Sequence, residues 1–175
     1  MQRSELEHII RASGDVAQDD EIVIIGSQSI LGQFPDAPIS LLASMEADVY
    51  PKHNPGLADK VDGAIGEGSS FHELYGYYAQ GVGPETAVLP NGWNDRVVVV
   101  KNENTNGIAG LCLEVHDLAI SKFVAGRTKD FEFIQELVRH KMIRKNILLT
   151  RLAEAALQET ERKIIGSKIE AMCSN

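Results

Sequence analysis

Residues 21–27 read EIVIIGS, a short run of apolar, mostly β-branched side chains that ends at Gly26 and Ser27. A run of this kind, without alternating polar positions, is typical of a central strand buried on both faces. Residues 27–33 then suit a short helix, which Pro35 and Pro38 bring to an end. The sequence therefore predicts a buried strand that leads through a turn of small residues directly into a helix.

A second strand is predicted over residues 45–50, where MEADVY alternates apolar and acidic positions and stops at Pro51. Glu46 and Asp48 are two residues apart, so their side chains point to the same face of a strand. Neighbouring carboxylates repel each other unless a cation lies between them, and oxygen ligands favour Mg²⁺ or Mn²⁺. Glu46 and Asp48 are therefore candidate metal ligands, and the alternative is a solvated outer face of the strand.

The remaining pattern predicts an α+β fold, with a mixed β-sheet flanked by helices and a helical C-terminal part. We expect one domain over residues 1–175, with a sheet-bearing core at about 21–115 and helices at about 116–175. Ser4 and Glu7 have the spacing of a capping box at the start of the first helix. The further predicted helices span about 4–13, 57–65, 70–75, 117–125, 128–140 and 146–165. The further predicted strands are a short one near 86–89 and a hairpin formed by 96–101 and 111–115.

Composition excludes several classes of protein. The chain has 175 residues, a net charge of −8 and 43% hydrophobic residues, as expected for a globular domain. No apolar run approaches the roughly 20 residues of a membrane span, and the charged N-terminus is unlike a signal peptide. We therefore expect a cytoplasmic protein without a membrane partner. Cys112 and Cys173 have no metal-ligand spacing and are expected to be free thiols.

The stretch HDLAISKFVAGRTKD, residues 116–130, combines three charged features. Asp117 is placed to cap a helix, Lys122 lies among apolar residues of that helix, and Asp130 follows its end. A lysine in such a helix either extends its ammonium to solvent or directs it at an anionic group such as a triphosphate. The stretch is thus a candidate part of a phosphate site.

These three motifs, in this order, resemble the minimal nucleotidyltransferases of the DNA polymerase beta-like superfamily. More closely, they resemble bacterial nucleotidyltransferase-like proteins related to the toxins of type IV toxin–antitoxin systems. The resemblance covers residues 21–137 and implies a nucleotidyltransferase fold. It further implies that Gly26 and Ser27 contact nucleotide phosphates and that Glu46 and Asp48 bind catalytic Mg²⁺ or Mn²⁺. In the later helices, the resemblance implies that Lys122 contacts the triphosphate and that Asp130 supports the site.

The expected function is metal-dependent transfer of a nucleoside monophosphate from a nucleoside triphosphate to a hydroxyl of RNA or protein. A toxin role with an antitoxin partner belongs to the same expectation. The alternative is a catalytically degenerate module on the same fold that binds nucleotide or another protein. A third carboxylate would favour catalysis, and the sequence leaves Asp95 and Glu114 as candidates. Four cations, Arg139, Lys141, Arg144 and Lys145, form either a contact surface for an RNA backbone or a solvated junction between helices.

Overall fold

The computed structural model describes residues 1–173 and has the expected α+β fold class. The strands are β1 Glu21–Ile24, β2 Glu46–Pro51, β3 Tyr78–Gly81, β4 Val98–Val100 and β5 Ala109–Cys112. The helices are α1 Arg3–Ala17, α2 Ile30–Gln33, α3 Ala58–Ile65, α4 Ser70–Tyr75, α5 Val115–Ala125, α6 Thr128–Arg139, α7 Lys145–Glu154 and α8 Glu159–Met172. The chain forms two compact units, one of Met1–Thr86 with Val97–Leu113, the other of Ala87–Arg96 with the chain from Glu114 onward.

The first unit contains a five-stranded mixed sheet in the order β3-β2-β1-β5-β4. β1 pairs antiparallel with β2 and parallel with β5, while β2 and β3 are parallel. β4 and β5 form the predicted antiparallel hairpin. Ile22, Val23 and Ile24 are fully buried in the central strand, which confirms the interpretation of the apolar run. β2, which carries the two acids, therefore lies between β1 and β3.

Helix α1 begins at Arg3, and its capping box is formed by Gln2 and Glu5, so the predicted pairing of Ser4 with Glu7 is wrong. Glu7 is instead buried, and its carboxylate accepts hydrogen bonds from Asn102 Nδ2 at 2.8 Å and Asn104 Nδ2 at 2.7 Å. Burial alone would raise the pKa of Glu7, but these hydrogen bonds and that of Arg3 bring it below its usual value. The carboxylate thus holds the loop between β4 and β5 against α1.

Two strand predictions are wrong in position. The short strand expected near residues 86–89 is absent, and the edge strand is β3, Tyr78–Gly81, which the glycine-rich and aromatic sequence concealed. Pairing with β2 extends this segment, since tertiary contacts decide β structure more than local propensity does. β5 ends at Cys112, because Val115 already begins α5.

The second unit is built around α5, in which Leu118, Ile120 and Phe123 are fully buried. α6 and α7 pack against α5, and α8 packs against α7. The single helix predicted over residues 146–165 is wrong, because the backbone is extended at Ala155 and at Gln158, where α8 is capped. Ala155 forms a bridge with Pro90, and Asn91 N–H donates to the Glu154 carbonyl at 3.0 Å. These contacts replace the helical hydrogen bonds. Of the helices within residues 1–173, none combines the length and apolarity that a membrane crossing requires.

Candidate functional site

The turn after β1 has the predicted order of strand, tight turn and helix. Gly26 is buried with an extended backbone, and residues Ser27–Ser29 form a single 3-10 turn that continues into α2. Ser29 N–H donates to the Gly26 carbonyl at 3.0 Å, which closes the turn. Ser27 remains half-buried. The turn therefore places a small half-accessible hydroxyl at the end of the central strand.

Gly26 lies directly against the side chain of Asp48. A Cβ added to Gly26 would lie 2.7 Å from the Asp48 Cγ and 3.0 Å from its Cβ, and it would collide with Oδ2. Ile25 N–H donates to the Asp48 carbonyl at 3.1 Å, which fixes the strand beside the turn. The turn and the acidic strand, 22 residues apart by subtraction of their residue numbers, are thus adjacent in the first unit.

Glu46 and Asp48 share one face of β2 and are half-buried, while Ala47 and Val49 between and after them are fully buried. Tyr78, opposite Glu46 in the register of β3, donates its hydroxyl to Glu46 Oε2 at 3.2 Å. Burial and then the charge of Glu46 raise the pKa of Tyr78 to about 12. The aromatic pattern around Tyr78 favours a packing role, and the contact with Glu46 does not follow from the sequence because β3 is not recognisable there.

Two polar residues of the turn are buried without hydrogen bonds from their side chains. Gln28 and Ser29 are fully buried, and within the described part of the chain neither the Gln28 amide nor the Ser29 hydroxyl has a partner. A buried polar group without a partner costs about 1–3 kcal/mol, so such groups are uncommon in folded proteins. Their location next to Gly26 and Ser27 marks this turn as a segment that is not optimised for stability.

Lys122 and Asp130, the other predicted site residues, are brought together in the second unit. Lys122 Nζ lies 3.1 Å from Asp130 Oδ1, and Arg127 Nε lies 2.8 Å from Asp130 Oδ2. Asp130 is fully buried, and burial alone would raise its pKa. The hydrogen bond from Arg127 and the charge of Lys122 instead bring that pKa below its usual value, so the carboxylate is ionised at neutral pH.

Asp117 is not the capping acid of α5, which corrects the sequence interpretation. Its carboxylate is fully buried and accepts hydrogen bonds from Arg96 Nε at 2.8 Å and Arg96 Nη2 at 2.9 Å. Arg151 Nε lies 3.3 Å from the same carboxylate. Asp117 therefore holds two arginines inside the second unit rather than a helix end.

The cap of α5 is Glu114, one of the two candidates for a third carboxylate. Its Oε2 accepts the His116 N–H at 2.9 Å, and its Oε1 lies 2.7 Å from His116 Nδ1. His116 Nε2 accepts the Arg144 N–H at 3.0 Å, so the ring proton resides on Nδ1 and is donated to Glu114. Asp95, the other candidate, is exposed at the end of a short 3-10 helix, Trp93–Asp95.

Two of the four cations near the α6–α7 junction have carboxylate neighbours. Arg139 Nη1 lies 3.4 Å from Glu136 Oε1, and Lys145 Nζ lies 3.0 Å from Glu170 Oε2. Lys141 is exposed and has a positive φ of 55° at the end of α6. This arrangement resembles a solvated junction between helices more than a continuous basic surface.

One further group of ligand-type side chains was not found from the sequence. Atoms of Asp19, Asp20 and His53 lie within 4.8 Å of one another in the first unit. They meet because β1 follows Asp19, β2 precedes His53, and the two strands are antiparallel. The buried Asp19 carboxylate already accepts the Glu21 N–H at 3.0 Å, the His53 N–H at 2.9 Å and the His53 ring at 2.8 Å. These bonds fasten the end of β2 to the start of β1.

One of three comparisons with known proteins identifies a family for this chain. No curated protein and no solved structure gave a significant match to the chain. A family profile described as a nucleotidyltransferase of unknown function, DUF6036, matches residues 4–168. This match spans nearly the whole chain, including both units and every predicted site residue. On this match, the chain belongs to this nucleotidyltransferase family.

Proposed function

We propose that this protein is a metal-dependent nucleotidyltransferase that moves a nucleoside monophosphate from a nucleoside triphosphate to a hydroxyl acceptor. The observation that carries the proposal is the packing of Gly26 against Asp48, two residues from Glu46 on the same strand face. Bound metal ions assist such a transfer by stabilising the attacking and leaving oxygens, and carboxylates hold these ions. In the first unit, the turn that would bind phosphate lies against Asp48.

The donor set at β2 fits a hard divalent cation. Glu46 and Asp48 offer carboxylate oxygens from one strand face, and both side chains are half-buried rather than sequestered. Mg²⁺ and Mn²⁺ prefer such oxygen ligands and complete their coordination with water and substrate phosphates. When bound, the cation would lower the pKa of the attacking hydroxyl and offset charge on the phosphates.

The turn supplies the groups for the phosphates. Because Gly26 has no side chain, its backbone can approach a phosphate closely, and Ser27 offers a hydroxyl beside it. The unpartnered polar atoms of Gln28 and Ser29 support this assignment, since binding-site segments commonly sacrifice stability for a function. In this proposal the turn orients the α-phosphate toward the strand acids.

The resemblance assigns a triphosphate contact to Lys122 and a supporting role to Asp130, and both remain proposals. Lys122 is 8% exposed and its ammonium is held by the ionised Asp130. A lysine oriented in this way presents a fixed charge with little conformational freedom to lose on binding. The proposed acceptor classes are RNA and protein hydroxyls, and the proposed biological setting is a toxin with a cognate antitoxin.

One observation favours a second candidate, a degenerate module that binds nucleotide without transferring it. Both carboxylate oxygens of Glu114 are committed to His116, and Asp95 is an exposed residue of a short turn. An acid that already caps a helix is less available as a general base than one that is free of such a role. Without a third acid, nucleotide would be bound and turnover lost.

Transfer of the label from α-³²P nucleoside triphosphates separates the two candidates. Each of the four triphosphates is incubated with the protein, Mg²⁺ or Mn²⁺, and total RNA or total protein, with Asp48→Asn as the control. Label that appears only with the wild type supports the transferase and identifies the nucleotide and the acceptor class. Metal-dependent nucleotide binding without transfer supports the degenerate module. Nucleotide affinity that is unchanged in Asp48→Asn would contradict the metal-ligand assignment.

A further inference from the structure

The hydroxyl of Tyr78 contacts a carboxylate of the acidic pair directly. Its Oη donates to Glu46 Oε2 at 3.2 Å, and its ring is packed against His72, with ring centroids 4.6 Å apart. His72 is itself oriented, because its Nδ1 accepts the Gly68 N–H at 3.0 Å. These contacts hold the side chain in place, and the residue as a whole is half-buried.

The sheet order places Tyr78 and the glycine-serine turn on opposite sides of the acids. β2 lies between β3, which carries Tyr78, and β1, which leads into Gly26. Gly26 contacts Asp48 on one side of the strand, and Tyr78 contacts Glu46 on the other. An in-line displacement requires the attacking oxygen and the leaving group on opposite sides of the phosphorus. A phosphate chain held at the turn would therefore present its α-phosphorus toward the tyrosine side.

We propose that Tyr78 is an acceptor in its own right, so that the protein nucleotidylates itself at this residue. The inference rests on the proposed nucleotidyltransferase function and specifies one acceptor for it. Tyr78 Oη forms a bond to the α-phosphorus of a nucleoside triphosphate as the bond between that phosphorus and the bridging oxygen to the β-phosphate breaks. Pyrophosphate leaves, and the phenolic proton passes to the Glu46 carboxylate that already accepts its hydrogen bond.

The modification would limit itself. A nucleoside monophosphate on Tyr78 would stand directly beside Glu46, where the next triphosphate has to bind. Each chain would therefore accept one nucleotide, and the modified chain would transfer more slowly to external acceptors. Self-modification thus gives the site a means of inactivation.

The test uses the full chain with each of the four nucleoside triphosphates and Mg²⁺ or Mn²⁺, followed by intact-mass measurement and peptide sequencing. Tyr78→Phe removes the acceptor, and Tyr77→Phe is the matched control, because the Tyr77 hydroxyl contacts His8 Nδ1 at 2.9 Å instead. We expect one nucleoside monophosphate on residue 78 in the wild type and in Tyr77→Phe, and none in Tyr78→Phe or Asp48→Asn. A second readout is the binding of an α,β-methylene triphosphate analogue, which should be unchanged in Tyr78→Phe.

Each other outcome overturns the inference in a recognisable way. Label on another residue would exclude Tyr78 as the acceptor. Loss of analogue binding in Tyr78→Phe would assign Tyr78 to nucleotide binding instead of acceptance. Transfer to RNA or protein without self-labelling would leave the proposed function intact and exclude Tyr78 as an acceptor. Nucleotide binding without any transfer would exclude the acceptor role and favour the degenerate module. Absence of nucleotide binding by the wild type would contradict the proposed function itself.

Discussion

Asp48 occupies the space that a side chain on Gly26 would need. Its Cγ lies 2.7 Å from the position of a Cβ at residue 26, a separation that real Cβ atoms do not adopt. Glycine at residue 26 thus leaves the Asp48 carboxylate in its observed position, in addition to allowing any approach of a phosphate. This contact links the end of β1 to the acid face of β2 and makes the two motifs one structural feature.

Gly26→Ala should separate these motifs. The added methyl group would displace the Asp48 carboxylate, at a cost of about 1–3 kcal/mol in unfolding free energy. We expect metal-dependent nucleotide affinity to fall by about tenfold or more, as measured by calorimetry on folded protein, because a tenfold loss needs only about 1.4 kcal/mol.

The matched control for this variant is Gly63→Ala in α3. A Cβ there would meet nothing within 4 Å, and the position is exposed. This change should raise stability by up to about 1 kcal/mol, since alanine favours a helix, and should leave nucleotide affinity unaltered. Equal nucleotide affinity in both variants would show that the position of Asp48 does not matter for binding.

Gln28→Met should stabilise the protein in the absence of nucleotide. Methionine has a similar length and flexibility and removes a buried amide that has no partner in the described chain, a gain of about 1–3 kcal/mol. If the amide hydrogen-bonds to a bound nucleotide, the variant should melt at a higher temperature than the wild type without nucleotide. Adding nucleotide should then raise the melting temperature of the variant by less than that of the wild type. Both quantities come from thermal melts with and without nucleoside triphosphate.

Ser13→Ala provides the comparison for Gln28→Met. Ser13 is also fully buried, and its hydroxyl also lacks a partner among residues 1–173, but it lies in α1 and not in the turn. Its removal should stabilise the protein without changing the effect of nucleotide. A normal nucleotide effect in Gln28→Met would assign Gln28 no function in binding.

Patterns of local sequence predicted the features that depend on local physics. The apolar run of β1, its turn and the acid pair on β2 follow from strand periodicity and from glycine. β3 was missed because its stability comes from pairing with β2, and no pattern within residues 78–81 reveals that partner. For the same reason, the contact between Tyr78 and Glu46 is not predictable from local sequence. The local pattern at Asp117 favours a helix cap, because its arginine partners are distant in sequence and leave no local signal.

Asp117→Asn should destabilise the second unit strongly. The fully buried carboxylate compensates the charges of Arg96 and Arg151, and loss of one partner of a buried ion pair costs about 3–5 kcal/mol. Glu170→Gln, which removes the exposed partner of Lys145, should cost less than about 1 kcal/mol. Urea denaturation of both variants checks the difference, and similar losses for the two would contradict the assigned role of Asp117.

The ion pair between Asp19 and His53 should make the stability of the fold depend on pH. The hydrogen bond and charge of Asp19 raise the pKa of His53, so this stabilisation is complete below the ordinary histidine value and declines as the pH rises through the raised one. Burial would raise the pKa of Asp19, but hydrogen bonds from His53 and Glu21 bring it below its usual value. The stability that the Asp19 carboxylate contributes is therefore lost only when the pH falls through this lowered pKa. His53→Gln should therefore lower the unfolding free energy more at about pH 5.5 than at about pH 9. Equal losses at the two pH values would contradict the pairing.

Lys122→Met tests whether the buried lysine serves the fold alone. The variant leaves Asp130 with Arg127 as its remaining cation and should lower stability, since a buried carboxylate loses one of two partners. Adding Asp130→Asn removes the uncompensated charge and should recover part of that stability.

If Lys122 contacts the triphosphate, the double variant should still bind nucleotide weakly despite its recovered stability, because the positive charge is still missing. Calorimetric titration with nucleoside triphosphate and Mg²⁺, beside urea denaturation of the single and double variants, separates the two roles. Recovery of affinity together with stability would restrict Lys122 to a structural ion pair.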